Sequence, residues 1–579
     1  MCNGPILMSF HHFCARLSHN HSLRFLETNM NSMQKTNRDK SVPEISSYKN
    51  LVEMLGCSAK RFGGQTGFAN RGHLMTFGQL DNLSNHFAAW IQNHTDLVAG
   101  DAIAIQLPNI LQYPVAVFGA LKAGLIIVNT NPLYTASEMT EQFQDSGVKA
   151  LVILSNMATL AEKVLHETKI KHVVITDMGD SLNPVQKLVT NYVIRNVEKR
   201  IPPFELPCAT TFAKVINLGK KHKLQPVESK RSDIAMLQYT GGITGTPKGA
   251  ILTHGNLLTN LDQMVTALGD ELRLGQEIMI TALPLYHIFS FTVNLLGMIY
   301  TGNLSILISN PRNFPQFVKE ISKWKFTAIT GVNTLFFGLM RNHKFKDLDM
   351  SHLRLTISGG MALTQKVAHE WEKVTGCPIH EGYGLTEASP CLTLNHPQSK
   401  KFGIGRALPE TQIKICDDKM QPVETGIAGE ILAKGPQLMA GYWKNHEGEI
   451  FTDDGWLKTG DIGIMDAEGF LTIVDRKKDL IIVSGYNVYP SELERTIKAH
   501  PEVDDCAAIG VPNQATGETV KVFIVAKNDE LSSTDVRQFC RQKLTGYKIP
   551  KLVVFKNSIP RSPMGKVLRK QLREESAAP

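Results

Sequence analysis

DAIAIQLPN (101–109), PVAVFGALKAG (114–124) and LIIVNTNP (125–132) set the pattern for the first half of the chain. The outer two are short runs of aliphatic and β-branched residues that end in Pro or Asn, as buried strands do. The middle run is apolar, rich in good helix formers and closed by Gly124, which reads as a buried helix. Strand, helix and strand in that order form the crossover unit of a parallel sheet. The unit recurs. KALVIL (149–154), HVVIT (172–176), FTAITGV (326–332) and LRLTISGG (353–360) read as further strands, and QKVAHEWEKV (365–374) reads as an amphipathic helix. Such α/β sheets bind ligands in the loops beyond the carboxyl ends of their strands.

Past about Gly403 the texture changes to short strands punctuated by Gly, as in IKICDD (413–418), GEILAKG (429–435) and GFLTIVDR (469–476). Beyond Arg476 lies a compact α+β stretch with strands AAIGVP (507–512), VKVFIVAK (520–527) and KLVVF (551–555). We therefore expect a large α/β domain over 46–475, β-rich over 403–475, and a small C-terminal domain over 476–579, divided at DRKKD (475–479). Residues 1–45, rich in His, Asn and Ser, carry Arg16 and Arg24 but no signal-peptide core. They read as a disordered extension, or as sequence upstream of a start at Met30 or Met33, rather than as a targeting segment. The final SAAP is not a peroxisomal address.

A chain of 579 residues is too long for one hydrophobic core. Its net charge of +8 arises from 62 Lys plus Arg against 54 Asp plus Glu with no long basic run, which argues a solvated surface and against nucleic-acid binding. The nine cysteines form no CxxC pair, so neither a disulfide framework nor a zinc site is indicated, and a reducing cytosol fits. From Ile278 to Pro311 there is no charged residue, but Pro284, His287, Asn294, Gly297, Gly302 and Asn303 interrupt the run. It reads as core or as the wall of an apolar tunnel rather than a membrane span.

After the apolar run Ile234–Leu237 comes YTGGITGTPKG (239–249). It is neither a Walker A loop, because Lys248 lies between Pro247 and Gly249, nor the dinucleotide pattern GxGxxG. Bare backbone amides and a lysine nevertheless suit an anion. Further on stand EGYGLTEASP (381–390), TGDIG (459–463), VDRKKDLIIVSGYNVYPSELE (474–494) and PRSPMGKVLRKQL (560–572).

In this order and spacing these motifs resemble the adenylate-forming enzymes: acyl-CoA synthetases, luciferases and adenylation domains. The resemblance runs from about residue 46 to the end. PLYHIFSFTVNLL (284–296), TAITGVNTLF (327–336) and TGYKIPKLVVF (545–555) look most like bacterial long-chain fatty acid–CoA ligases. The fold so implied is α/β: two α/β sheets plus a distorted β-barrel in a large N-terminal domain, and a small mobile C-terminal domain. The activity implied joins a fatty acid to ATP as an acyl-adenylate, releasing pyrophosphate, and then displaces AMP with coenzyme A. Both steps gather anions, so fixed donors and positive charge are needed.

The resemblance also implies roles. Thr240, Gly241, Gly242, Ile243, Thr244, Gly245, Thr246 and Lys248 would embrace the ATP phosphates, with Thr244 and Glu387 holding Mg²⁺. Gly359, Gly360, Gly382, Tyr383, Gly384 and Thr386 would border the base, with Tyr383 packed on adenine. Asp461 and Arg476 would meet the ribose. Lys566 would reach the substrate carboxylate and α-phosphate. Lys478 would be the hinge about which the C-terminal domain turns, bringing Ser484 and Gly485 to coenzyme A, whose phosphates Lys548 would meet. His287, Phe289, Val332 and Met361 would border the acyl pocket.

The cofactor set is thus ATP, Mg²⁺ and coenzyme A as substrate, in the cytoplasm, with room for peripheral membrane contact and a homodimer. Alternatives are a fatty acyl-AMP ligase, a medium-chain or aryl acid–CoA ligase, and a non-catalytic nucleotide- or lipid-binding relative. An amino-acid-activating domain is disfavoured because PLYHIFSF offers no acid to pair a substrate ammonium. One departure stands out. The family usually has Ser or Thr at the position of Ile243, so a hydroxyl is missing from the phosphate loop.

Overall fold

The computed structural model describes residues 44–180, 201, 203–240, 247–445, 450–484, 486–514, 516–562 and 565–577. Of the expected N-terminal extension only Glu44 and Ile45 are described, and Ile45 is already buried at the start of a short 3-10 turn. By density of contacts the chain falls into two units. The first comprises 1–239, 249–330 and 347–355, and the second comprises 240–248, 331–346 and 356–579.

The first unit holds the sheet expected from DAIAIQLPN onward. Its strands run in the order Ala209–Thr211, His172–Thr176, Ala150–Leu154, Ala102–Gln106, Ile126–Asn129, Ile234–Thr240 and Lys248–Thr253. The first six pair in parallel. The crossover helix Gln112–Lys122 is buried along its whole length, which is why its sequence is apolar rather than amphipathic. Its Lys122 is no exception in energy, since the ammonium donates to Asp81, Ser84 and Asn85.

The uncharged stretch 278–311 also lies in this unit and is core. It forms strand Ile278–Thr281, short helical segments from Ile288 to Thr301 and strand Leu304–Leu307, parallel to the first. A π-helical turn occupies Phe291–Gly297. Its Asn294 exchanges hydrogen bonds with Thr330 and donates to Thr281, so the buried polar groups are satisfied. Among the described residues no helix is long and apolar enough to cross a membrane.

The second unit contains the parallel pair Leu355–Gly359 and Ile379–Gly384, with Cys391–Asn395 antiparallel beyond it. A four-stranded antiparallel sheet, Gln412–Cys416, Gly429–Lys434, Leu457–Met465 and Leu471–Arg476, is the β-rich region expected past Gly403. The DRKKD cut falls on a 3-10 turn, Lys477–Asp479. After it a separate five-stranded sheet builds on strands Val503–Asn513 and Gly517–Ala526, with its own core around Leu493, Ile497, Val522 and Ile524. Among the described residues all cysteines are free.

Candidate active site

Strand Ile234–Thr240 leads into the loop that drew attention in the sequence. Tyr239 donates its hydroxyl to Asp145 at 2.5 Å, fixing the strand end. A Cβ on Gly249 would stand 3.0 Å from that ring, so glycine lets the returning strand lie against it. Thr240 Oγ1 reaches the Lys248 carbonyl at 3.5 Å across the loop mouth. Gly241, Gly242, Ile243, Thr244, Gly245 and Thr246 lie outside the described residues.

Within the second unit, the ammonium of Lys248 stands 5.4 Å from the ring centroid of Tyr442. The hydroxyl of the same tyrosine donates to Glu387 Oε1 at 2.5 Å. The Glu387 carbonyl accepts from Met439 N–H at 2.8 Å, so both ends of the acid are held. Burial, reinforced by the Glu387 charge, pushes the Tyr442 hydroxyl well above the ordinary phenol value, and it acts as a neutral donor. Tyr442 was not singled out by the sequence. GYW (441–443) carries no spacing that marks it.

Glu387 sits on the 3-10 turn Thr386–Ala388, which follows strand Ile379–Gly384. Gly384 must be glycine, because a Cβ there would lie 1.9 Å from the Pro390 carbonyl oxygen. Gly359 and Gly382 are register partners, and Gly360 has φ +81°. Tyr383 is buried with Leu392, Ile431 and Leu457. Its hydroxyl donates to Asp461 Oδ2 at 2.8 Å, so the expected base contact and the expected ribose contact are bonded to each other.

Asp461 and Arg476 are register partners on adjacent antiparallel strands, and Arg476 Nε lies 3.0 Å from Asp461 Oδ1. TGDIG is therefore strand, not turn. With Tyr383 on one oxygen and Arg476 on the other, the carboxylate is fixed before any ligand arrives.

Lys566 approaches this group from the C-terminal end of the chain. A hairpin holds it: Ser562 N–H donates to the Lys566 carbonyl at 2.7 Å, and Arg561 donates to the Gly565 carbonyl at 2.8 Å. Gly565 has φ +84°, and a Cβ there would stand 3.0 Å from Thr334 Oγ1 and 3.1 Å from Met361 Sδ. Lys566 is exposed as a residue. Enough protein surrounds its ammonium, however, that desolvation and then Arg476 push it down to about 8, against the pull of Asp461 and Glu387. Lys478 is likewise pushed down to about 8, by desolvation first, then Arg476, with Lys566 adding to it.

Other expected residues are placed as follows. Ser484 has φ +52° and donates its N–H to the Thr516 carbonyl at 2.8 Å, while Gly485 is outside the described residues. Lys548 grips both oxygens of Glu492, at 2.8 and 2.7 Å. His287 accepts from Phe289 N–H through Nδ1 at 3.4 Å and caps the following helical turn. His287 and Phe289 belong to the first unit, whereas Val332 and Met361 belong to the second. The sequence reading also passed over Glu381, a buried acid that accepts from Leu363 N–H at 3.0 Å and is pushed up to about 7 by burial.

Tyr442 takes one Glu387 oxygen and leaves Oε2 without a partner among the described residues. A hard carboxylate oxygen held this way fits Mg²⁺. Taken together, the cluster offers an ammonium, a guanidinium and two oriented carboxylates. It suits a reaction in which a polyphosphate with its counter-ion meets another anion.

Comparison with known proteins agrees. The family described as AMP-binding enzyme matches residues 57–443, and its C-terminal domain matches 492–566. A long-chain-fatty-acid–CoA ligase of Escherichia coli O6:H1 is 47% identical over 91% of this chain and 95% of its own. One of Haemophilus influenzae is 46% identical over 92% and 96%. A crystal structure of ATP-bound MatB from Rhodopseudomonas palustris superposes with a TM-score of 0.79 at 26% identity, covering 91% of this chain and 98% of that one.

Proposed function

The chain belongs to the AMP-binding enzyme family, and on that premise we propose that it is an ATP-dependent long-chain fatty acid–CoA ligase. The observation that carries the mechanism is the ammonium of Lys566 set among Arg476, Asp461 and Glu387. Asp461, oriented by Tyr383 and Arg476, holds the ribose, and Lys248 with the loop 240–246 holds the leaving phosphates. Lys566 then brings its charge between the fatty carboxylate and the α-phosphate. A compact ammonium on a flexible stem suits a charge that must arrive and withdraw. Attack on the α-phosphate forms the acyl–phosphate bond and breaks the bond to pyrophosphate. In the second step the thiol of coenzyme A attacks the acyl carbon and AMP departs.

Glu387 Oε2 and the Thr244 hydroxyl would hold Mg²⁺, which when bound would neutralise charge on the phosphates. Selection of long acids would follow from apolar burial, roughly 0.8 kcal/mol per CH₂, with His287 and Phe289 the acyl-pocket candidates of the first unit and Val332 and Met361 those of the second. Lys478 serves as hinge, and Ser484, Gly485 and Lys548 serve coenzyme A, Lys548 after release from Glu492. Long acids partition into bilayers, so the reading includes peripheral contact at the cytoplasmic face of a membrane, testable by co-sedimentation with liposomes. It also admits a homodimer, which sedimentation would detect.

The deciding experiment is ATP–pyrophosphate exchange with palmitate, followed by thioester formation with coenzyme A across acids from C6 to C20. Exchange without thioester formation would turn the reading to an acyl-AMP ligase. A maximum at short or aryl acids would overturn the long-chain assignment. No turnover at any length would leave a binding protein.

A further inference from the structure

Tyr442 joins two residues that the proposed reaction uses for different tasks. Its ring faces the Lys248 ammonium at 5.4 Å, and its hydroxyl donates to Glu387 Oε1 at 2.5 Å. Tyr442 is 8% exposed, so its bond to Glu387 is made away from bulk water, where it is strengthened, while Lys248 is half-buried. Glu387 is 9% exposed and fixed at its carbonyl by Met439 N–H. That fixes the backbone, and the tyrosine hydroxyl restrains the side chain that extends from it.

We propose that Tyr442 is a positioning residue that couples the phosphate-loop lysine to the metal-holding acid. It aims Glu387 Oε2 through the hydroxyl and steadies Lys248 through the ring. The inference rests on the proposed ligase reading for the roles of Lys248 and Glu387. A residue that only filled the core would present the same ring with no consequence for its hydroxyl. The two functions are separable by substitution. Tyr442→Phe keeps the ring under Lys248 and removes the bond to Glu387. Tyr442→Leu removes both.

Binding of ATP to the full chain is measured by calorimetry across a Mg²⁺ series and in EDTA, with melting temperature as the check on folding. In Tyr442→Phe the Mg²⁺ concentration that gives half-maximal enhancement of ATP affinity should rise roughly 10- to 150-fold, the range set by losing one bond to a charged group. Its affinity in EDTA should match that of the parent chain. In Tyr442→Leu the affinity in EDTA should also fall. Because that variant can lose its fold, a second arm compares Lys248→Met in the parent chain and in Tyr442→Phe. The ATP penalty of Lys248→Met in EDTA should be the same in both, since the ring is retained.

An unchanged Mg²⁺ requirement in Tyr442→Phe overturns the proposal, as does a folded Tyr442→Leu with parental affinity in EDTA. A Lys248→Met penalty in EDTA that disappears in Tyr442→Phe also overturns it, because the ring would then not be the contact that matters. Pyrophosphate exchange with palmitate in the parent chain runs alongside. Its absence overturns the ligase reading alone, because the metal-dependent binding still decides the role of Tyr442.

Discussion

At the residue scale the sharpest claim concerns Lys566. Lys566→Ala should abolish pyrophosphate exchange while sparing thioester formation from supplied acyl-adenylate. Near-normal exchange in that variant would sink the assignment. The pH dependence has a definite sign. Desolvation and Arg476 lower the ammonium from the ordinary lysine value to about 8, so it is charged below that pH and neutral above it. A charge needed for adenylation is therefore lost as pH rises, and exchange at subsaturating ATP should fall through about pH 8. Lys478 is lowered to about 8 as well, so the limb needs assigning. Lys566→Arg, slower because guanidinium does not replace a point charge, should carry no limb below pH 10. A limb that survives unchanged in that variant belongs to another group. Ile243 is the other residue of interest. A hydrogen bond to a charged group is worth about 1.5–3 kcal/mol, so Ile243→Thr should raise the adenylation rate or lower KM for ATP. No change, or a loss, would mean that its side chain points away from the phosphates.

At the scale of elements, strand Ile379–Gly384 illustrates what a sequence reveals and what it hides. Apolar runs marked parallel strands such as Ala102–Gln106 and Ala150–Leu154 because burial is a local property, but IHEGYG (379–384) has no such run and was not read as a strand. Gly384 also belonged to a legible motif, and the structure gives its reason in the approach of the Pro390 carbonyl oxygen. Glu381 and Tyr442 were not legible, since an acid beside a Gly and a tyrosine in a loop acquire meaning only from partners distant in sequence. Glu381 accepts from Leu363, and burial raises its carboxyl from 4.5 to about 7. A raised carboxyl favours the protonated form in the fold, so its contribution to stability is present below pH 4.5 and is lost as pH rises through 7. Glu381→Gln, which keeps the acceptor without the charge, should equal the natural chain near pH 4.5. It should exceed it by about 3 kcal/mol above pH 7, measured as denaturant midpoints at the two pH values. A constant difference across that range would show that Glu381 is not the titrating group.

For the whole molecule, shared texture hid how the strands sort into sheets, since KALVIL and HVVIT join DAIAIQLPN whereas FTAITGV pairs with Ile278–Thr281 and LRLTISGG with Ile379–Gly384, although the change to Gly-punctuated strands past Gly403 was legible. The meeting of distant segments was not, because it is made by tertiary packing: Lys566 near Asp461 and Glu387, and Gly565 against Thr334 and Met361. On the proposed mechanism, that meeting serves the first half-reaction, and Lys566 must later leave room for a thiol. The proposed hinge residue, Lys478, lies in the 3-10 turn Lys477–Asp479. Its Asp479 is tied to Arg573 at 3.0 Å and to Arg569 at 3.5 Å, and Arg569 also grips Glu494 at 2.6 Å. These bonds anchor the carboxyl-terminal side of the turn to the last helix, Arg569–Ala577, while Lys478 is exposed and without a described hydrogen bond, as its proposed role as hinge requires. Proline at the second residue of a helical turn fits φ near −65° but cannot leave it. Lys478→Pro should therefore keep pyrophosphate exchange within about threefold while slowing thioester formation from supplied adenylate by about tenfold or more. Equal losses in both half-reactions would mean that the substitution perturbs the site itself, and undiminished thioester formation would move the pivot to another residue.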